Sequence, residues 1–193
     1  LNECKISLIE AIKLAEKKAS GAAASAIMGT ATEAGRLTNK PIFSISVLKK
    51  QPSSLVDVII GGKSKKVLNV EPSKPQESAI TILNPKPEET SRILLDASKI
   101  NLIKAVETAQ HEANGEACRA MLQPMQGIQE KTLLVYVKPI FLVTVLKNEP
   151  VSLVDVVINA ITGEVLDIKK TPEPTLPGED NVASPQSTPQ RFP

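Results

Sequence analysis

Pro41-Ile42-Phe43-Ser44-Ile45-Ser46-Val47-Leu48-Lys49 returns as Pro139-Ile140-Phe141-Leu142-Val143-Thr144-Val145-Leu146-Lys147, and Ser54-Leu55-Val56-Asp57-Val58 returns as Ser152-Leu153-Val154-Asp155-Val156. Upstream, Ile6-Ser7-Leu8-Ile9-Glu10-Ala11-Ile12 answers to Ile100-Asn101-Leu102-Ile103-Lys104-Ala105-Val106. Leu8 stands 94 residues before Leu102 and Pro41 stands 98 before Pro139, so the second copy carries extra residues between its two conserved parts. A solenoid repeats every ~20 to 50 residues. This longer period means a small domain written twice.

Within each copy the order of elements is readable. Ser7 and Glu10 have the spacing of a capping box, which starts a helix. Leu8, Ala11, Ile12, Ala15 and Ala19 then fall on one stripe, with Gly21 expected as the residue that ends the helix. The second copy repeats the stripe as Leu102, Ala105, Val106, Ala109 and Ala113, ahead of Gly115. Four strands follow in each: Ala23 to Met28, Ile42 to Leu48, Leu55 to Ile60 and a short Val67 to Val70, matched by Ala117 to Leu122, the run around Val143 to Leu146, Leu153 to Ile158 and Val165 to Ile168. Phe43, Ile45 and Val47 alternate with Ser44 and Ser46, the period of a sheet with one wet face. Turns around Pro52 and Pro150 make the second and third strands antiparallel neighbours. Pro139 removes a ladder donor and marks an edge, a bulge or a strand start.

The expected fold is therefore α+β: two tandem repeats, each one helix packed on its own small antiparallel sheet, α-β-β-β with a short fourth strand. Residues 1–71 form the first repeat and 100–170 the second. Residues 72–99 between them hold Pro72, Pro75, Pro85 and Pro87, a linker interrupted by the strand-like Ala79 to Leu83 and a helical turn over Thr90 to Asp96. Residues 171–193, rich in Pro, Ser and Thr, have too little apolar surface to offset the entropy of ordering and read as a mobile tail.

Composition narrows the function. Aromatic residues are 2% of the chain, with no Trp and one Tyr, so platforms for stacking bases are lacking. A net charge of +2 on 193 residues offers no field for a polyanion, and nucleic acid is not an expected partner. No apolar run reaches the ~20 residues of a membrane-spanning helix.

Catalysis finds few candidates. His111, the only His, falls at the helix position where the first copy has Lys17, a solvated register. Asp57 and Asp155 recur in both copies but sit in strand positions that can face water, with nothing near them in sequence to raise a pKa. Gly61-Gly62 lies in a hairpin turn with no helix after it, so it is no phosphate loop. Cys4 and Cys118 occupy positions that are Ser98 and Ala24 in the other copy; they form either a long-range disulfide or two unrelated thiols. No catalytic, metal or cofactor residues are expected, and the inventory is that of a protein that binds rather than reacts.

Ile158-Asn159-Ala160-Ile161-Thr162-Gly163-Glu164-Val165-Leu166, preceded by a helix ending in Gly115-Glu116-Ala117 and an alternating strand, resembles the PepSY family. That family closes its unit with a Val-Asp-Ala-x-Thr-Gly-Glu-Val-Leu hairpin. The likeness covers most of 6–70 and 100–170. It departs at Asn159, where the family usually has Asp, and further in the first copy, where Gly61 to Lys66 replace the hairpin. The tandem arrangement is also similar in architecture to the β-lactamase inhibitor protein. The resemblance implies a non-catalytic, periplasmic or secreted bacterial module that binds another protein and restrains a peptidase. The alternative is a structural or assembly module of the envelope that inhibits nothing. The expected interface is a sheet face formed by both copies, to which the second contributes more through Tyr136, Phe141, Thr162 and Glu164; Tyr136 combines an apolar ring and a polar tip, and the alternative for it is local packing under the extra segment Gln123 to Lys131.

Overall fold

The computed structural model describes residues 4–33, 36–50, 53–73, 87–129, 134–148 and 150–170. The strand-like Ala79 to Leu83, the turn residue Pro52 and the expected tail 171–193 lie outside them. Among the described residues eleven elements run in the order α1 (Leu8–Ala19), β1 (Gly21–Glu33), β2 (Arg36–Lys49), β3 (Ser54–Gly61), β4 (Val67–Pro72), α2 (Pro87–Ala97), α3 (Leu102–Ala113), β5 (Gly115–Gln129), β6 (Leu134–Asn148), β7 (Val151–Asn159) and β8 (Val165–Lys170).

α1 begins as its sequence dictates. Ser7 Oγ accepts from the Glu10 amide and Glu10 returns a carboxylate oxygen to the Ser7 amide at 3.0 Å, so both halves of the capping box are made. Asn101 Oδ1 caps α3 the same way, accepting from the Lys104 amide. The helix ends differ from expectation. Ser20 and Asn114, not the glycines after them, take the left-handed conformation, with φ of 54° and 50°. Gly21 and Gly115 are already strand residues, and a Cβ on either would run into the carbonyl oxygen of Leu48 or Leu146 on the neighbouring strand. These glycines permit close approach of strands, and a polar residue that tolerates the left-handed region supplies the turn.

The expectation of two units, each with a small sheet of its own, is overturned. All eight strands form one antiparallel sheet in the order β4-β3-β2-β1-β5-β6-β7-β8. The join is β1 to β5, with Ser25 opposite Met121, Ala26 opposite Ala120 and Ile27 opposite Arg119. In a separate unit β1 would be an edge, with a row of unpaired backbone groups and only small side chains, Ala23 and Ala26, facing the helix. Pairing it with β5 brings Ser25 to Ile27 into the ladder and places α1 and α3 side by side over one shared core. Ala11, Ala15, Ala105 and Ala109 are fully buried where the helices meet the sheet. Phe43, Ile45, Val47, Phe141, Val143 and Val145 rise to meet them.

The segment expected as a linker holds a helix. α2 touches β1, β2, β3, β5 and β6 but neither α1 nor α3, so it lies across the opposite face of the sheet. Pro87 takes its first position, where a missing amide hydrogen is harmless. Leu94 is its buried anchor, and Leu48 and Ile140, whose strand neighbours Val47 and Phe141 point to the helix pair, are buried on this same second face. Ser98 Oγ donates to the Leu94 carbonyl and closes the helix end.

Beyond the main body, β1–β2 and β5–β6 continue as two-stranded ribbons, since β3 pairs with β2 only from Ile42 and β7 with β6 only from Ile140. The extra residues of the second copy fall between Pro124 and Pro139, which pair in its ribbon as Thr30 and Pro41 do in the first. Pro139 sits at the branching point. Its carbonyl accepts from the Ala160 amide, so its missing N–H faces the side where the β7 ladder has just ended. Pro41 does the same with Gly62.

Candidate functional site

The recurrent acids do not converge. Asp57 on β3 and Asp155 on β7 are separated by β2, β1, β5 and β6, which at ~4.8 Å per strand is about 24 Å. Carboxylates that share a glycosidic reaction stand ~5 to 9.5 Å apart. Each is instead half of a cross-strand pair: Ser46 Oγ donates to Asp57 at 2.7 Å, and Thr144 Oγ1 donates to Asp155 at 2.6 Å. His111 is 86% exposed, with Nδ1 at 3.2 Å from Glu112. Among the described residues, no three His, Cys, Asp or Glu side chains are grouped as a metal set.

No disulfide joins the two cysteines. Cys118 occupies the irregularity in β5 between Ala117 and Arg119, and its thiol donates to the Thr144 carbonyl at 3.5 Å. Burial pushes this thiol above its ordinary value, helped by the Asp155 charge and opposed by a backbone hydrogen bond and Arg119. Cys4 lies just ahead of α1, on the wall of a cleft of about 430 Å³ that reaches Met28, Phe43 and Gln110.

Of the expected interface residues, Thr162 and Glu164 are exposed in the β7–β8 turn, and they bond to each other, Thr162 Oγ1 donating to Glu164 at 3.0 Å. Asn159 accepts from the amides of Ile161 and Thr162, which an asparagine oxygen does as well as a carboxylate. The first half retains this turn despite its different sequence. Gly61 donates to Lys66 and Lys65 to Gly61, as Asn159 donates to Glu164 and Gly163 to Asn159. Lys65 adopts φ 57° where the second half uses Gly163 at φ 79°. Phe141 must be removed from the interface set: it has no exposed surface and belongs to the core beneath the helices. Tyr136 pairs with Gly127 in the β5–β6 ribbon; its side chain lies outside the described residues.

What sequence reasoning missed is the pair of edges of the described sheet. Among the described residues β4 and β8 each have one strand neighbour, and each exposes two large apolar side chains at equivalent positions: Leu68 and Val70 on β4, Leu166 and Ile168 on β8. Alternation in six residues cannot reveal this, because exposure there depends on α1 and α3 being spent on the centre of the sheet. A ladder edge carrying apolar side chains can accept an extended peptide as a further strand.

No described helix is long and apolar enough to cross a membrane. No protein family's profile matches this chain, and no curated protein matches it. Among solved structures it is similar to a candidate lipoprotein from Clostridium difficile 630, at 17% identity over 87% of this chain and 95% of that one, with a TM-score of 0.43. That likeness is too distant to carry a fold or a function to this chain.

Proposed function

We propose that the chain is a non-catalytic binding module of the periplasm or the extracellular space, which holds an extended segment of another protein against the edge of its sheet and thereby restrains a peptidase. The observation that carries this reading is β8: the edge strand of the sheet among the described residues, with Leu166 and Ile168 about half exposed, led in by the turn with exposed Thr162 and Glu164. Backbone pairing would give affinity and the two apolar side chains would give preference for apolar residues at alternate positions of the bound strand. Its extracytoplasmic address and its peptidase target rest on the PepSY likeness of residues 158–166. The separation of Asp57 from Asp155 and the exposure of His111 favour a binder over a hydrolase.

The test is inhibition of purified extracytoplasmic bacterial metallopeptidases by the full chain and by Ile168→Lys, with the fold of each followed by circular dichroism. Stoichiometric inhibition by the parent chain, weakened at least about tenfold by the charge at the edge, supports the proposal. A chain that neither binds nor inhibits any of them overturns it. Binding without inhibition moves the protein to the alternative class, a structural or assembly module.

A further inference from the structure

The two halves of the molecule can be compared position by position, and at one of the clusters where they differ the first half brings two sulfur atoms together. Cys4 Sγ lies 4.0 Å from Met28 Sδ at the wall of the cleft between the start of α1 and the β1–β5 join. Both side chains are partly buried, with buried Phe43 beside them. The equivalent positions of the second half are Ser98 and Leu122, neither of which carries sulfur. A third position differs with them. Gly62 holds the backbone here, accepting from the Lys5 amide and donating to Pro41, as Ala160 does for Lys99 and Pro139. A Cβ on Gly62 would stand only 3.1 Å from Cys4 Sγ. The second half carries Ala160 at this place and Ser98 at the position of Cys4, with the Ser98 hydroxyl donating to the Leu94 carbonyl. The first half has glycine, which leaves room for the thiol.

We propose that Cys4 and Met28 form a binding site for a soft monovalent metal ion, copper(I). Thiolate and thioether sulfur are the donors that prefer Cu(I) over the harder divalent ions. The spacing fits: two sulfurs 4.0 Å apart both reach one ion at about 2.3 Å, the usual length of a first-row metal–sulfur bond, with an angle near about 120° at the metal. That angle leaves a third position open toward the cleft. Binding requires Cys4 as thiolate. The S–H proton leaves to solvent as the Cu–S bond forms, and the ion keeps its oxidation state. With two sulfurs and an open third position, the donor set falls short of the four ligands that hold structural zinc. Cys118, buried in the β5 irregularity and bonded to the Thr144 carbonyl, is not part of the site. This assignment stands independently of the strand-edge reading above.

The second half also supplies the test variants, since each replacement is a residue that the same fold already carries at the equivalent position. In a Cys118→Ala background, matching Ala24 of the first half, the full chain is titrated with Cu(I) under ascorbate in competition with bathocuproine disulfonate, and the ultraviolet thiolate-to-copper band is followed. One equivalent is expected. Cys4→Ser should abolish the band and lower affinity at least about 100-fold, and Met28→Leu and Gly62→Ala about 10-fold or more, within the range that lost or misplaced ligand support commonly produces. Copper K-edge absorption of the parent chain gives a reading that needs no variant: two sulfur neighbours at about 2.3 Å support the site. One sulfur neighbour only, a band that survives Cys4→Ser, or an affinity unchanged by Met28→Leu overturns it.

Discussion

Ala26 of β1 stands directly opposite Ala120 of β5, its own counterpart in the other half, and both are fully buried. Because the strands are antiparallel, a residue can face its own copy only on a two-fold axis; Ser25 opposite Met121 and Ile27 opposite Arg119 keep the same relation on either side. The molecule therefore behaves at its centre like a dimer closed within one chain. The seam is held by backbone pairing and by two methyl groups under α1 and α3.

Enlarging either methyl should strain that seam. Ala26→Leu and Ala120→Leu each introduce volume beneath the helix pair and are expected to destabilise by about 1–3 kcal/mol. The pseudo-symmetry makes the two losses comparable, as read from urea unfolding midpoints at constant slope. A neutral result for both would mean that the helices do not close over the join.

The hydroxyl–carboxylate pairs should not be equivalent. Thr144 is 9% exposed, so Asp155→Ala strands a nearly buried hydroxyl and is expected to cost about 1–3 kcal/mol. Ser46 is less buried and can turn to water, so Asp57→Ala should cost about 1 kcal/mol. Thermal unfolding of the two single variants checks the order; a larger loss for Asp57→Ala would contradict it.

The two β-hairpin turns predict opposite responses to glycine. Lys65 carries a Cβ in the left-handed region, so Lys65→Gly should be neutral to stabilising by up to about 1 kcal/mol. Gly163→Ala imposes the same strain on the second half and should destabilise by about 1–2 kcal/mol. Melting curves that moved in the same direction for both variants would show that the turns are not the same.

Cys118 should be a slow nucleophile. Its thiol is raised from 9.0, which lowers the thiolate fraction at every pH below that value, so alkylation by iodoacetamide is expected to be slower than in the urea-unfolded chain and to rise at higher pH. Burial is the larger cause, and Asp155→Asn, which removes the charge that adds to it, should shift the pH profile downward. The profile is measured by mass spectrometry of the Cys118 peptide, and a folded profile lying below the unfolded one would refute the assignment.

Much of the local structure was written in the chain. The Ser7–Glu10 box, the Leu8 to Ala19 stripe and the alternation of Phe43, Ile45 and Val47 fixed helix and strand, because capping and side-chain period are properties of neighbouring residues. The solvated place of His111 followed from the same helical period. The repeat likewise announced that the halves would share an order of elements. What it left open were relations between segments distant in sequence. That β1 would pair with β5 depended on two alanine-faced edges finding each other, and no window of sequence contains both. The burial of Leu94 where α2 meets the sheet, the depth of Phe141 and the exposure of Leu166 and Ile168 are relations between distant segments too, set by which faces and which edges of the joined sheet the three helices cover. The approach of Cys4 to Met28 has the same origin: a residue before a helix and one on a strand meet only when the sheet is assembled beneath them.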